Sequence, residues 1–253
     1  MQRFIFLMFL FWIGCVPISR SEPRGIQGAS SELVSDRNSL SRVESRTRNA
    51  AVKISDLAGS GYGSGTYVRF EGHDVIFTAA HVVTGETQLK VSGRAGESVI
   101  GVPIYVNESR DFAILSVPQI HSRTPIVFRT SRQTRGELVG RSVTYSGFPG
   151  GYDLLTIRGA ISGMELESEM LIMHSYAWMG ASGSGVFDQR GNIVGILVAV
   201  DIGYFRVPQI VEDVVWVTPI SEIDLDAVRS EILKINTDSS SEQSSPTAQS
   251  SEN

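Results

Sequence analysis

Between residues 51 and 217 the chain repeats one short pattern, an apolar run of a few residues followed by a break rich in Gly, Asn or Ser. The runs are Ala51 to Ile54, Thr66 to Phe70, Val75 to Thr78, Gln88 to Val91, Val99 to Val106 and Phe112 to Val117. A second set follows: Ser142 to Ser146, Leu154 to Ile161, Met170 to His174, Gly185 to Phe187, Ile193 to Val200 and Val214 to Val217. Repeated short β signals with turn residues between them point to a closed or sandwiched all-β unit. Helical periodicity is expected after that, where Thr218-Pro219 reads as a cap followed by a first-turn proline. Leu225, Val228, Ile232 and Ile235 then recur at helical spacing and form a stripe expected to pack on the second set of strands.

The flanks differ in character. Met1-Gln2-Arg3 and the apolar run Phe4 to Val16 make a basic start and a core too short for an ordinary span, which suits a secretory signal over residues 1–21. Export follows as an expectation. Cys15, the only cysteine, closes that run, so a mature exported form has no disulfide and relies on its core. Residues 22–48 are polar and read as a linker; residues 236–253 read as a disordered Ser-rich tail. Arg37, Arg42, Arg46 and Arg48 alternate with Glu32, Asp36 and Glu44, and the net charge is −5, so nucleic acid is excluded as the main partner.

Three polar residues stand beside apolar strands where packing alone does not ask for them. His81 ends Val75-Ile76-Phe77-Thr78-Ala79-Ala80-His81, Asp111 precedes Phe112-Ala113-Ile114-Leu115, and Ser182 lies in Gly180-Ala181-Ser182-Gly183-Ser184-Gly185. Singly, each has a structural explanation: a buried histidine, a strand-initiating turn, a glycine-serine turn. Together they offer what acyl transfer needs. A serine hydroxyl is a poor nucleophile until a base takes its proton, and the carbonyl it attacks needs donors aimed at its developing charge. Glycine at 180 permits a backbone turn that lets its N–H point with that of Ser182 into one oxyanion hole.

In this order and context the motifs resemble those of the trypsin-like (chymotrypsin-fold) serine proteases, closest to the HtrA type of bacterial proteases. Thr78-Ala79-Ala80-His81, Asp111-Phe112-Ala113-Ile114-Leu115 and Gly180 to Gly185 match the family's histidine, aspartate and serine motifs. Gly61-Tyr62-Gly63-Ser64-Gly65, Gly147-Phe148-Pro149-Gly150, Thr156 to Gly163 and Gly191 to Ile196 resemble flanking family segments, over roughly residues 48 to 220. The resemblance implies an all-β fold of two six-stranded antiparallel barrels, about 49–125 and 135–217, with a C-terminal helix, in a protease domain of 49–235. It implies an endopeptidase with His81, Asp111 and Ser182 as triad, Gly180 and Ser182 as oxyanion donors, and no metal or organic cofactor. Its partners would be polypeptide substrates. The HtrA type usually adds a PDZ domain, for which residues after 235 leave no room, so peptide sensing through one is not expected.

Departures from the family pattern are informative. Digestive members have an aspartate before the nucleophile to pair with a new N-terminus, and Ala181 has no charge to offer. Ile196 stands where glutamyl-specific relatives have a histidine, which argues against acidic specificity. The substrate pocket is expected between Tyr176 to Met179 and Leu197-Val198-Ala199. Such walls favour a small or medium apolar side chain before the scissile bond. Ile13-Gly14-Cys15 resembles a lipoprotein cleavage site, so membrane attachment through a lipidated Cys15 stands beside ordinary signal-peptidase cleavage a little later, with Ser19 and Ser21 as the small residues before the cut. A non-catalytic or externally activated binding protein on the same fold is the alternative function. Oligomeric state is not legible.

Overall fold

The computed structural model describes residues 40–204 and 208–242. The segment expected to be a secretory signal, with Cys15, most of the expected linker, residues 205–207 and the end of the expected tail lie outside the described residues. All twelve strand runs of the sequence reading are strands, and they close into two barrels. In the first, β1 (Ala51–Ser55), β2 (Tyr62–Phe70), β3 (His73–Thr78), β4 (Leu89–Ser92), β5 (Ser98–Asn107) and β6 (Phe112–Ser116) run in the order β1-β4-β5-β6-β3-β2. Pairing of Ala51 with Thr66 through Ser55 with Tyr62 closes the ring. A two-residue strand, β7 (Ile126–Val127), adds parallel to β2.

The second barrel contains β8 (Ser142–Gly147), β9 (Leu155–Met164), β10 (Leu171–His174), β11 (Gly185–Asp188), β12 (Ile193–Tyr204) and β13 (Pro208–Pro219), closed as β10-β13-β12-β11-β8-β9. Relabelled by position within its set, this is the strand order of the first barrel, so one antiparallel topology occurs twice. Period-two alternation sends one face of each strand inward. Phe77 meets Phe112 at 5.3 Å between ring centroids in a T-shaped contact inside the first barrel. Val143, Tyr145, Ile161, Leu171, Met173, Val186 and Val217 form the second core.

Three helices depart from expectation in instructive ways. The polar stretch before residue 49 ends in α1 (Arg42–Ala50) rather than continuing as linker. A capping box starts it: the Glu44 N–H donates to Ser41 Oγ at 3.2 Å and the Ser41 N–H to Glu44 Oε2 at 2.7 Å. The Glu44 carboxylate is buried and paired with the Arg158 guanidinium from β9, which holds it far below the usual carboxylate range, to about 2, against the opposing effect of burial. Thr47 Oγ1 lies 3.0 Å from Ser146 Oγ, so α1 is fastened to the second barrel by groups that look like solvent-facing polar residues in the sequence.

A short helix, α2 (Arg135–Leu138), capped by Thr134, joins the barrels. At the C-terminus the expected start at Thr218-Pro219 is replaced by the end of β13. Thr218 pairs with Ile196 in the sheet, and the helix, α3 (Leu225–Glu242), instead begins where Asp224 Oδ1 accepts the N–H groups of Asp226 and Ala227. Among the described residues its stripe packs on the first barrel, not chiefly on the second as expected. Val228 and Ile232 are buried in the cluster that contains Phe70 and Phe77, and Arg229 pairs with Glu71 at the β2–β3 turn. The fourth residue, Ile235, lies outside the described side chains. Residues 236–242, expected as tail, continue α3. Among the described residues no helix is long and apolar enough to cross a membrane.

Candidate active site

After β3 the chain turns through a 3₁₀ segment, Ala80–Val82, which carries His81. Asp111 stands in the β5–β6 turn with φ of +47, a conformation that costs an L-residue about 1 kcal/mol or more and must be held by its surroundings. Asn107 helps: its Oδ1 accepts from Ser109 Oγ at 2.8 Å and from the Arg110 N–H at 3.1 Å. Turned this way, Asp111 receives His81 twice. Oδ1 accepts the His81 backbone N–H at 2.9 Å and Oδ2 lies 2.7 Å from Nδ1. In the tautomer that directs Nδ1–H at the carboxylate, Nε2 keeps a lone pair with which to accept a proton. The two side chains are 49% and 29% exposed, so water screens this pair more than it would a buried one.

Ser182 lies in the connection from β10 to β11. Here two glycines are required, with φ of +94 at Gly180 and +89 at Gly183. A Cβ on Gly183 would fall 2.0 Å from the Ser64 carbonyl oxygen and 2.2 Å from Thr78 Oγ1. That bare Cα therefore lets the serine loop sit directly against the segment leading to His81. Within the loop, Ala181 N–H donates to Trp178 O at 2.9 Å, Gly183 N–H to Leu197 O at 2.7 Å and Ser184 N–H to Ala181 O at 3.1 Å. Among the described residues the N–H groups of Gly180 and Ser182 have no protein acceptor. The Met179 carbonyl accepts from Gly150 N–H at 2.8 Å, and because N–H and C=O oppose each other in a trans peptide, the Gly180 N–H faces away from Gly150. The Ser182 hydroxyl donates to the Val198 carbonyl at 3.4 Å, and among the described residues it makes no hydrogen bond to His81.

A charged cluster that sequence reasoning missed abuts Asp111. Arg110 lies 2.7 Å from Glu169 and 3.4 Å from Glu222, and Arg135 lies 3.5 Å and 3.2 Å from the same two carboxylates. Hydrogen bonding from Arg110, reinforced by Arg135, holds Glu169 below its usual range. Thr218 Oγ1 donates to the Arg110 carbonyl at 2.8 Å. The turn carrying Asp111 is thus tied to the second barrel and to the segment after it. The four charges come from four distant places in the chain, so no local signal marks them.

The expected pocket residues divide. Tyr176, Met179 and, on β12, Ala199 are exposed, whereas Leu197 is buried in the second core and Val198 in the cluster shared with the first barrel. The Leu197 and Val198 side chains are therefore core residues and not the exposed pocket walls expected of them. The buried Tyr145 hydroxyl, its pKa raised by burial, donates to the Tyr176 carbonyl at 2.7 Å. Ser175 and Ala177 N–H groups donate to Asp213 and Glu212 carbonyls, which holds this segment along β13. His73 begins β3, His121 lies between β6 and β7, and His174 ends β10 with Nδ1 3.9 Å from Asp213. Among the described residues no three His, Cys, Asp or Glu side chains gather as a metal site.

Two closed six-stranded antiparallel barrels of this topology define the chymotrypsin-like fold. The model of the trypsin-like peptidase domain matches residues 63–196, more than half of the chain, and the chain belongs to that family. Among solved structures it is similar to the serine endoprotease from Yersinia pestis, with a TM-score of 0.57 and 20% identity over 76% of this chain and 64% of that one. It is also similar to the Rv3671c protease from M. tuberculosis. The active form gives a TM-score of 0.57 and 21% identity over 72% of this chain and 80% of that one. The inactive form gives 0.55 and 22% over 77% and 92%. At such identities the likeness is one of fold, and the chain spans less than two thirds of the Yersinia protein. No curated protein matches the chain.

Proposed function

We propose that the protein is an exported serine endopeptidase. The observation that carries this reading is the doubly held His81–Asp111 pair, together with a Ser182 loop whose Gly180 and Ser182 N–H groups have no acceptor among the described residues. Ser182 Oγ attacks the scissile carbonyl while His81 Nε2 takes its proton, and Asp111 stabilises the resulting imidazolium. The Gly180 and Ser182 N–H groups receive the oxyanion, a contribution of about 3–4 kcal/mol per well-aligned donor. His81 then passes the proton to the departing amine. Water, activated by the same imidazole, releases the acyl group from Ser182 and restores the hydroxyl.

A side chain before the scissile bond would meet Tyr176, Met179 and Ala199, so small or medium apolar residues are favoured there. The apolar run Phe4 to Val16 supports export, with Cys15 the candidate point of lipid attachment. One observation favours the alternative of a binding protein or an externally activated enzyme: the Ser182 hydroxyl is engaged by Val198 O instead of His81. Catalytic hydrogen bonds are often loose without substrate and tighten when it binds, so the Val198 contact is compatible with Ser182 as nucleophile.

The test is labelling of the purified protein by a fluorophosphonate probe, with Ser182→Ala as control, followed by casein digestion. Labelling of the wild type alone, with casein cleavage, is expected. A folded wild type that neither labels nor cuts would give the alternative the lead.

A further inference from the structure

Ser64 is fully buried on β2 and uses every polar atom it has on the proposed active site. Its N–H donates to the Ser182 carbonyl at 2.8 Å. Its carbonyl accepts from Thr78 Oγ1 at 2.8 Å, at the end of the strand that leads to His81. Its hydroxyl donates to the Gly180 carbonyl at 2.6 Å and accepts the Phe148 N–H at 2.9 Å. One side chain of the first barrel therefore spans two loops of the second, the one containing the oxyanion donors and the one containing Gly150.

The consequence follows from peptide geometry. Donation from Ser64 Oγ fixes the plane of the Gly180–Ala181 peptide, and donation from Gly150 to Met179 O fixes the plane before it. The Gly180 N–H lies in the Met179–Gly180 plane, and Ser64, by anchoring the next plane, holds the Gly180 hinge about which that N–H would turn. The Phe148 N–H bond in turn holds the loop that positions Gly150. Backbone at φ of +94 is permissive for glycine, so nothing intrinsic to Gly180 chooses between this orientation and a flipped peptide. With Ala181 unable to supply a charge for an ion pair, the choice must be made by neutral hydrogen bonds.

We propose that the Ser64 hydroxyl is a positioning residue that orders the oxyanion loop in this protein, by a bifunctional hydrogen bond linking Phe148 N–H to Gly180 O. This rests on the hydrolase reading above and adds to it the device that keeps the oxyanion donors aimed.

The test compares the wild type with Ser64→Ala, which removes the hydroxyl, and Ser64→Cys, which keeps the volume and only a weak donor. For Ser64→Ala the fluorophosphonate labelling rate and kcat on a peptide ester are expected to fall about 100-fold, comparable to loss of one oxyanion donor, with KM within about threefold. Ser64→Cys is expected to fall between the two. In parallel, amide hydrogen exchange in the Ser182→Ala background is expected to quicken at Phe148 and Ala181 while Tyr67 to Phe70 stay protected. Labelling and kcat of Ser64→Ala within threefold of wild type would overturn the proposal, as would equal loss in kcat and affinity with general loss of protection. If Ser64→Ala does not fold, Ser64→Cys decides: wild-type kcat overturns the proposal, and a selective fall in kcat upholds it. If the wild type itself is inert, the hydrolase reading fails, and exchange at Phe148 still decides the role of Ser64.

Discussion

Replacing Glu44 by glutamine isolates one electrostatic contact, because glutamine can keep the capping box of α1 while losing the charge that Arg158 recognises. The folded-state pKa of Glu44 is about 2, against 4.5 for the free side chain, with the Arg158 hydrogen bond the largest cause and the Ser41 N–H contributing. That difference corresponds to roughly 3.4 kcal/mol at neutral pH as an upper bound. The Arg158 side chain is 71% exposed, so solvent screens much of this, and about 1–2 kcal/mol is the expected loss in Glu44→Gln. A depressed carboxylate pKa stabilises the fold above the unfolded value, and this stabilisation is lost as pH falls through the folded value. The window therefore runs from about pH 4.5 down to about pH 2, and by pH 3 more than half of the difference is expected to have gone. Urea denaturation followed by tryptophan fluorescence at pH 7, 5, 4 and 3, for both proteins, measures it. A stability gap that stays constant from pH 7 to pH 3, or no gap at pH 7, would refute the argument that α1 is held by an ionised, buried Glu44.

Two further outcomes are expected. Gly183→Ala places a methyl group 2.0 Å from the Ser64 carbonyl and at a left-handed φ, so a loss of about 3 kcal/mol and of probe labelling is expected; a normal melting temperature with normal labelling would refute the close approach of the serine loop to Ser64 and Thr78. Val228→Ala, fully buried against the first-barrel cluster, is expected to lower global stability by about 1–3 kcal/mol in thermal unfolding, and an unchanged midpoint would mean that α3 is not part of the cooperative unit.

The motif segments illustrate how far local pattern reaches. Strands were legible because alternation and turn residues are properties of neighbouring positions, as in Val75 to Thr78 or Phe112 to Leu115. α1 was not, because its only strong signal, Ser41 with Glu44, sits in a stretch of arginines and serines whose composition reads as solvated. The Thr218-Pro219 signal was genuine chemistry in the wrong place, since sheet pairing with β12 held Thr218 in extended backbone and left Asp224 to cap α3. The apolar stripe of α3 was visible, but a stripe carries no address.

Local sequence is enough to set the material of the molecule: twelve strands in two sets, a polar start to the fold, and His81, Asp111 and Ser182 each beside a strand or turn. Everything that depends on the meeting of residues far apart in the chain waits for the fold. Examples are Asp111 grasping His81 by two hydrogen bonds, Arg110 and Arg135 sharing Glu169 and Glu222, and Ser64 reaching across to Gly180 and Phe148. The physical reason is range. Backbone propensity and side-chain periodicity act over a few residues, whereas hydrogen bonds and ion pairs act over a few ångströms, and only the closed barrels convert one distance into the other.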